Sequence, residues 1–174
     1  MGEIFYLNGQ LLPAEEAKIS VLDYGFLFGY GLYETIRAYE GQPFRLDHHL
    51  ARLGFSGDRL GILIHIALLR EAVKDVIKAN NFNQTRIRIC ISLGEGTMPP
   101  NLDSCRQPTI AVLASDYIPP NAEKYQQGYK VVLTAIKRNS LSPVTYLKSA
   151  NTIENMLARR DAKEAGADEA FFLN

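Results

Sequence analysis

The stretch Asp23–Tyr39, DYGFLFGYGLYETIRAY, decides how the rest of the chain is read. Its first part, Asp23–Gly31, is punctuated by Gly25, Gly29 and Gly31 and reads as a loop. The spacing of those glycines is not GxGxxG and no Lys-Ser/Thr pair follows, so this is not a nucleotide-binding loop. From Leu32 to Tyr39 the chain alternates as a strand does. Tyr33, Thr35, Arg37 and Tyr39 share one face, and Leu32, Glu34, Ile36 and Ala38 share the other. Glu40-Gly41-Gln42 then turns the chain into a short partner strand, Pro43–Leu46.

Upstream, Glu3–Leu7 and Gln10–Leu12 flank Asn8-Gly9, a two-residue hairpin signal. Downstream, Asp47 is an N-cap candidate for a helix to about Leu60, with Leu50 and Leu53 on its inner face. A second helix shows in Leu69, Ala72, Val73, Val76 and Ile77, which follow the 3.6-residue period while Lys74 and Lys78 stay outside; Asn80-Asn81 ends it. Arg86–Leu93 alternates again, with Ile87, Ile89, Ile91 and Leu93 against Arg86, Arg88, Cys90 and Ser92. GEGTMPPN, Gly94–Asn101, is a loop, and Thr109–Ala114 is a further apolar strand. Pro119-Pro120 marks Tyr117–Tyr125 as a linker. Beyond it lie a strand (Tyr129–Ile136), an irregular stretch to Tyr146, a helix (about Asn151–Ala165) and a strand (Glu169–Leu173).

These elements make an α+β N-terminal domain over 1–118, a linker over 119–125, and the beginning of a C-terminal α/β domain over 126–174. Two strands and one helix are too few for a sheet domain, so the expectation is a chain that lacks its C-terminal part. Apolar residues make up 47% of the sequence and charged residues 22%, as in ordinary globular proteins. Lys+Arg and Asp+Glu balance at 19 each, which removes the electrostatic reason to expect nucleic acid or an anionic membrane. The longest apolar stretches fall short of a membrane span, and MGEIFYLNGQ opens on strand-like sequence rather than a leader. Cys90 reads as a small buried hydrophobe and Cys105 as a loop thiol, in keeping with a cytoplasmic protein.

Lys148, in VTYLKSANTIENML, precedes a helix start where Asn151 and Glu154 form a capping-box-like pair. A helix N-terminus disfavours a neighbouring positive charge, and Leu147, Ser149 and Ala150 offer no carboxylate to hold an ammonium. Both effects favour the neutral, nucleophilic amine. On local sequence alone, a surface lysine beside a loop is the commoner outcome. Arg86 and Arg88, at i and i+2, are either a solvated strand face or an anion site suited to a carboxylate, and Arg37 with Tyr33 strengthens the second option if the two strands are neighbours. His48-His49 are adjacent and point apart, and His65 is the only other histidine, so no metal is expected.

Three segments together resemble the class IV, fold-type IV pyridoxal-phosphate enzymes, a group that includes branched-chain aminotransferases, D-amino-acid aminotransferases and 4-amino-4-deoxychorismate lyase. Asp23–Arg37 resembles the family's loop and strand with its Gly-x-x-x-Tyr/Phe-Glu motif. Leu46–Leu53, LDHHLARL, is similar to its His-x-x-Arg-Leu helix, and Leu147–Asn174 resembles the segment around its catalytic lysine. The resemblance covers essentially the whole chain. It implies that Lys148 forms the Schiff base with pyridoxal 5′-phosphate, that Arg52 binds the cofactor phosphate, and that Tyr33 lines the substrate pocket. Arg37 and Arg88 would lie near the substrate carboxylate. The implied activity is an aminotransferase acting between an amino acid, the branched-chain class among the candidates, and a 2-oxo acid. β-Elimination of aminodeoxychorismate, or a non-catalytic fragment of such an enzyme, are the alternatives, and a cytoplasmic homodimer is the implied assembly. Two departures bear on substrate: Leu93 stands where the D-amino-acid enzymes carry an arginine, and Arg86 where branched-chain enzymes have a tyrosine. The family's glutamate on the pyridine nitrogen, and a loop that completes its phosphate site, would lie past Asn174.

Overall fold

A computed structural model describes residues 2–173. The chain divides into two compact units, the first running to Tyr117 and including Lys148–Ala150, the second formed by Ile118–Leu147 and the residues from Asn151 onward.

In the first unit Asn8 and Gly9 both adopt positive φ (47° and 97°), the geometry of a two-residue type I′ turn. They join β1 (Ile4–Leu7) to β2 (Gln10–Pro13). The stretch read as a loop contains a five-residue helix, α1 (Tyr24–Phe28). Its N-cap, Asp23, accepts the Gly25 N–H at 2.7 Å and the Ser92 hydroxyl at 2.8 Å, and Gly29 closes it in the left-handed conformation. Asp23, capping the helix locally and anchored to Ser92 across the fold, thus makes a turn of helix where glycine content suggested none.

β3 (Gly31–Tyr39) lies at the centre of the pairing that matters here. It runs antiparallel to β5 (Gln84–Ser92) over its whole length, with Tyr33 opposite Cys90, Thr35 opposite Arg88 and Arg37 opposite Arg86. β5 in turn pairs with β6 (Thr109–Asp116), and with a two-residue β4 (Gln42–Pro43) at the edge the sheet order is β2-β1-β6-β5-β3-β4. The expected partner strand over Pro43–Leu46 shrinks to β4 (Gln42–Pro43). Arg45 takes a left-handed conformation (φ 50°) and turns the chain into α2 (Leu46–Leu60). Asp47 is therefore not the N-cap. It sits in the first turn and pairs with Arg70 of α3 (Ile66–Asn80), which ends at Asn81, again left-handed.

Helices α2 and α3 cover one face of the sheet. Leu50 and Leu53 of α2, with Leu69, Val73 and Val76 of α3, pack against Leu32 and Ile36 of β3, Ile87, Ile89 and Ile91 of β5, and Val112 of β6, all of them buried. At about 1.5–3 kcal/mol for each such side chain removed from water, this layer is the main stabilising term of the unit. The opposite face keeps the polar set: Tyr33, Thr35 and Arg37 from β3, and Arg86, Arg88 and Cys90 from β5. Cys90 lies on that face and is half-buried rather than a core hydrophobe.

The second unit pairs β7 (Val131–Lys137) with β8 (Glu169–Leu173) in parallel, with α5 (Ile153–Glu164) as the crossover between them. A short helix, α4 (Ala122–Gln127), begins inside the stretch read as a linker and runs two residues past it. The N-cap of α5 is Thr152, one residue past the expected Asn151, and it makes no side-chain cap bond. Ala158 and Ala162 are buried along α5, while Val131, Leu133, Phe171 and Leu173 of the two strands are exposed.

Candidate functional site

Lys148 is positioned by backbone pairing that no local pattern announces. Lys148–Ala150 lies along the edge of β3 not taken by β5. The Tyr33 N–H donates to the Lys148 carbonyl (2.9 Å), the Ala150 N–H donates to the Gly31 carbonyl (2.8 Å), and Leu32 bridges Ser149. From the helix side, the Lys148 N–H donates to Oγ of buried Ser56 at 3.3 Å, and that hydroxyl donates to the Arg52 carbonyl at 3.0 Å. The lysine is therefore held on both sides at the sheet edge. Its Nζ lies 4.1 Å from the centre of the Tyr33 ring. Among the described residues it has no carboxylate partner.

Tyr33 receives a second cation. The Arg88 guanidinium carbon sits 4.2 Å from the same ring centre. Cation–π attraction holds both groups without neutralising either. Arg37 is further along β3, four residues or roughly 13 Å from Tyr33 by strand rise. Its guanidinium stacks on Tyr117 (3.6 Å), Nη2 donates to Gln84 Oε1 (2.8 Å), and Nε is buried without a hydrogen-bond partner. Arg86 stands directly opposite Arg37. Like charges directly across a sheet repel, and Arg37, Arg86 and Arg88 make no ion pair among the described residues. The condition for reading Arg37 with Tyr33 and Arg88, adjacency of the two strands, is met.

Arg52, on α2, is engaged from below. Its Nε donates to Glu34 Oε1 at 2.6 Å and its Nη2 to Glu34 Oε2 at 2.8 Å, a two-pronged pairing. His49, one helical turn earlier, places Nδ1 2.8 Å from the same Oε2. The Glu34 side chain is completely buried, whereas that of Arg52 is 53% exposed. Burial pushes the Glu34 carboxyl up, but the hydrogen bonds and charges of Arg52 and His49 outweigh it and hold the group below its ordinary value. Glu34, through its hydrogen bond, holds the Arg52 guanidinium above its own.

Lys148 and Arg88 thus each rest on the Tyr33 ring, the main chain of Arg52 is linked to that of Lys148 through Ser56, and Arg37 stands apart down the strand. Glu34 and His49, quoted within the motifs but given no role, and Ser56, not singled out at all, are further members of the constellation. The signal for Glu34 was present: an acid on a face otherwise filled by Leu32, Ile36 and Ala38 has to be paired. His49 and Arg52, at i and i+3, are the spacing that brings two side chains of one helix to the same point. A separate cleft of about 820 Å³, lined by Glu40, Gln42, Lys74, Lys78 and Phe82 among others, lies beside the opposite end of β3 and contains none of these residues.

The family model for amino-transferase class IV matches residues 31–174. A Methanocaldococcus jannaschii relative named "Putative branched-chain-amino-acid aminotransferase" is 35% identical over 176 residues, covering 97% of this chain and 59% of its own length. The aminodeoxychorismate lyase of Bacillus subtilis is 30% identical, covering 98% of this chain and 58% of its own length. Among solved structures, the branched-chain aminotransferase of the thermophilic archaeon Thermoproteus uzoniensis, with norvaline, superposes with a TM-score of 0.86 at 28% identity, over 100% of this chain and 60% of that one. The chain therefore spans somewhat less than two thirds of the relatives it matches, and its mixed α/β architecture is that of the N-terminal part of fold-type IV aminotransferases. From Gly31, the first residue of β3, to the last residue, this chain belongs to the class IV aminotransferase family.

Proposed function

We propose that the protein is a pyridoxal-phosphate-dependent aminotransferase that moves an amino group between an amino acid and a 2-oxo acid, with Lys148 as the lysine that joins the cofactor. The observation that carries this reading is the Lys148 amine, fixed through its backbone to β3 and Ser56, lying over Tyr33 with no carboxylate partner among the described residues. The donor set suits a cofactor that is an aldehyde at one end and a phosphate dianion at the other. The aldehyde needs an amine not tied up as an ion pair, which is Lys148. The phosphate needs a guanidinium with an edge to spare, and Arg52 spends Nε and Nη2 on Glu34 but makes no hydrogen bond through Nη1 among the described residues.

Bound there, pyridoxal phosphate supplies the electron sink that makes a proton at the substrate Cα removable. Lys148 is the base at Cα, Tyr33 forms a wall of the pocket, and Arg88 orients the substrate carboxylate, while Arg37 adds positive charge further along the same face. Three arginines on one sheet face without acidic partners favour an anionic substrate, so acidic amino acids belong beside the branched-chain ones in any assay. A cytoplasmic homodimer is part of the reading, supported by two free thiols and by exposed Ile19, Val21 and Phe26 around α1. Sedimentation tests the dimer. No helix among the described residues is long and apolar enough to cross a membrane.

The test is an amino-acid panel, given with 2-oxo acids to the protein expressed from its natural reading frame. Production of a new 2-oxo acid supports the reading, and none from any amino acid removes it. The second reading, β-elimination, is favoured by the similarity to the Bacillus subtilis lyase. It requires pyruvate from aminodeoxychorismate without any amino acceptor.

A further inference from the structure

Glu34 is the best-enclosed ionised group described above, and the reading so far gives it no task. It lies on the helix-covered face of β3, its side chain has no exposure to water, and three donors reach it: Arg52 through two nitrogens and His49 through one. Because an ionised carboxylate only accepts, the His49 Nδ1 carries a hydrogen and donates it. Both Glu34 oxygens are then engaged, and the Arg52 guanidinium is gripped along the edge that joins Nε to Nη2. Nη1 makes no hydrogen bond among the described residues, on a side chain that is half-exposed.

A buried ion pair is a poor device for merely fastening α2 to β3. A hydrophobic pair of the same volume commonly does as well or better, and Leu50 and Leu53 already do so on the same helix. What a two-pronged carboxylate provides and a leucine does not is a fixed guanidinium plane. Resting on the cofactor reading above, we propose that Glu34, steadied by His49, is a positioning residue that aims the free edge of Arg52 at the cofactor phosphate.

The sign of the expected effect separates this from simple electrostatics. Glu34→Gln removes a negative charge beside Arg52, which alone would tighten the binding of a phosphate dianion. Loss of positioning does the reverse. The protein from its natural reading frame is titrated with pyridoxal phosphate and, separately, with pyridoxal, which has the aldehyde but no phosphate; absorbance reports uptake of each. In Glu34→Gln we expect affinity for pyridoxal phosphate to fall about tenfold, as when the partner that orients a ligand-binding side chain is removed. Affinity for pyridoxal should stay within about twofold on the same reasoning, since no phosphate is there to be positioned. His49→Gln, which removes one of the three bonds, moves the ratio of the two affinities the same way by a smaller factor and serves if Glu34→Gln does not fold. In an Arg52→Ala background, Glu34→Gln leaves the ratio unchanged. Equal weakening of both ligands means a structural role and overturns the proposal. So does tighter binding of pyridoxal phosphate, or an undiminished effect when Arg52 is absent. If the unsubstituted protein takes up neither ligand, the cofactor reading itself fails and this inference goes with it; uptake of both with a flat ratio in every variant removes the positioning role alone.

Discussion

Replacing Arg52 with alanine strands a carboxylate that has no contact with water. Glu34 loses two charge-assisted hydrogen bonds and keeps only the one from His49. Removing one partner of a buried pair costs about 3–5 kcal/mol. Two features reduce this. The Arg52 side chain is 53% exposed, so its removal opens a path for water, and Glu34 can escape its stranded charge by taking up a proton. We therefore expect Arg52→Ala to destabilise the first unit by about 2–3 kcal/mol at pH 7, discounted for that exposure. Adding Glu34→Gln deletes the stranded charge, so the double variant should recover about 1 kcal/mol relative to Arg52→Ala, even though it carries one more substitution. The deficit also depends on pH. In the unsubstituted protein the carboxyl is held low and stays ionised, whereas in Arg52→Ala it is no longer held low, so the gap should narrow by up to about 1.4 kcal/mol per pH unit as the variant becomes protonated. Equilibrium urea unfolding followed by far-ultraviolet circular dichroism, at pH 7 and pH 5, measures all three proteins. An Arg52→Ala protein within about 0.5 kcal/mol of the original, the range of an ordinary surface substitution, or a double variant less stable than the single one, would refute the argument from the buried charge.

Three further outcomes follow from the same geometry. Because Glu34 is held below its ordinary value of 4.5, its contribution to stability is complete above that pH and is lost as pH falls through the folded value; the acid limb of a urea-midpoint profile should be shallower in Glu34→Gln than in the original. Gly94 has φ +99°, and a methyl group there would sit 1.9 Å from the Gln107 carbonyl oxygen, so Gly94→Ala should lose about 3 kcal/mol or more, on the order of strain plus steric displacement, in the same unfolding assay. Arg88→Leu should raise the KM for an acidic amino-acid substrate about tenfold or more while changing kcat far less, because what it removes is carboxylate binding.

Much of the first unit was legible because its sheet is covered on one face only. That arrangement writes a period of two into Leu32–Tyr39 and Arg86–Leu93, and a period of 3.6 into the helix that covers them, which is why β3, β5 and α3 lie where the residues pointed. The hairpin at Asn8-Gly9 was legible because two residues at positive φ demand those residue types. Elsewhere the deciding interactions were not local. α1 depends on Asp23 reaching Ser92 across the fold, and Arg45 entering the left-handed region cuts β4 short and starts α2 before Asp47. The site divides in the same way. Alternation alone put Tyr33 and Arg37 on one face of their strand and Arg88 on the less apolar face of its own, but the adjacency of the two strands, and the register that sets Arg86 opposite Arg37, are properties of strand pairing. Lys148 joins β3 by hydrogen bonds between segments far apart in the chain, which leave no mark on either segment. Glu34 was visible as an acid in an apolar row; only the structure shows that Arg52 and His49 converge on it.

The most direct test of the central claim is reduction of the protein with borohydride after incubation with pyridoxal phosphate, followed by peptide mapping of the stable adduct. The account predicts a protein whose visible absorption is lost on reduction, with the pyridoxyl group on Lys148 and no adduct in Lys148→Ala. An adduct on another lysine, or a protein that gains no visible absorption with added pyridoxal phosphate, would contradict it.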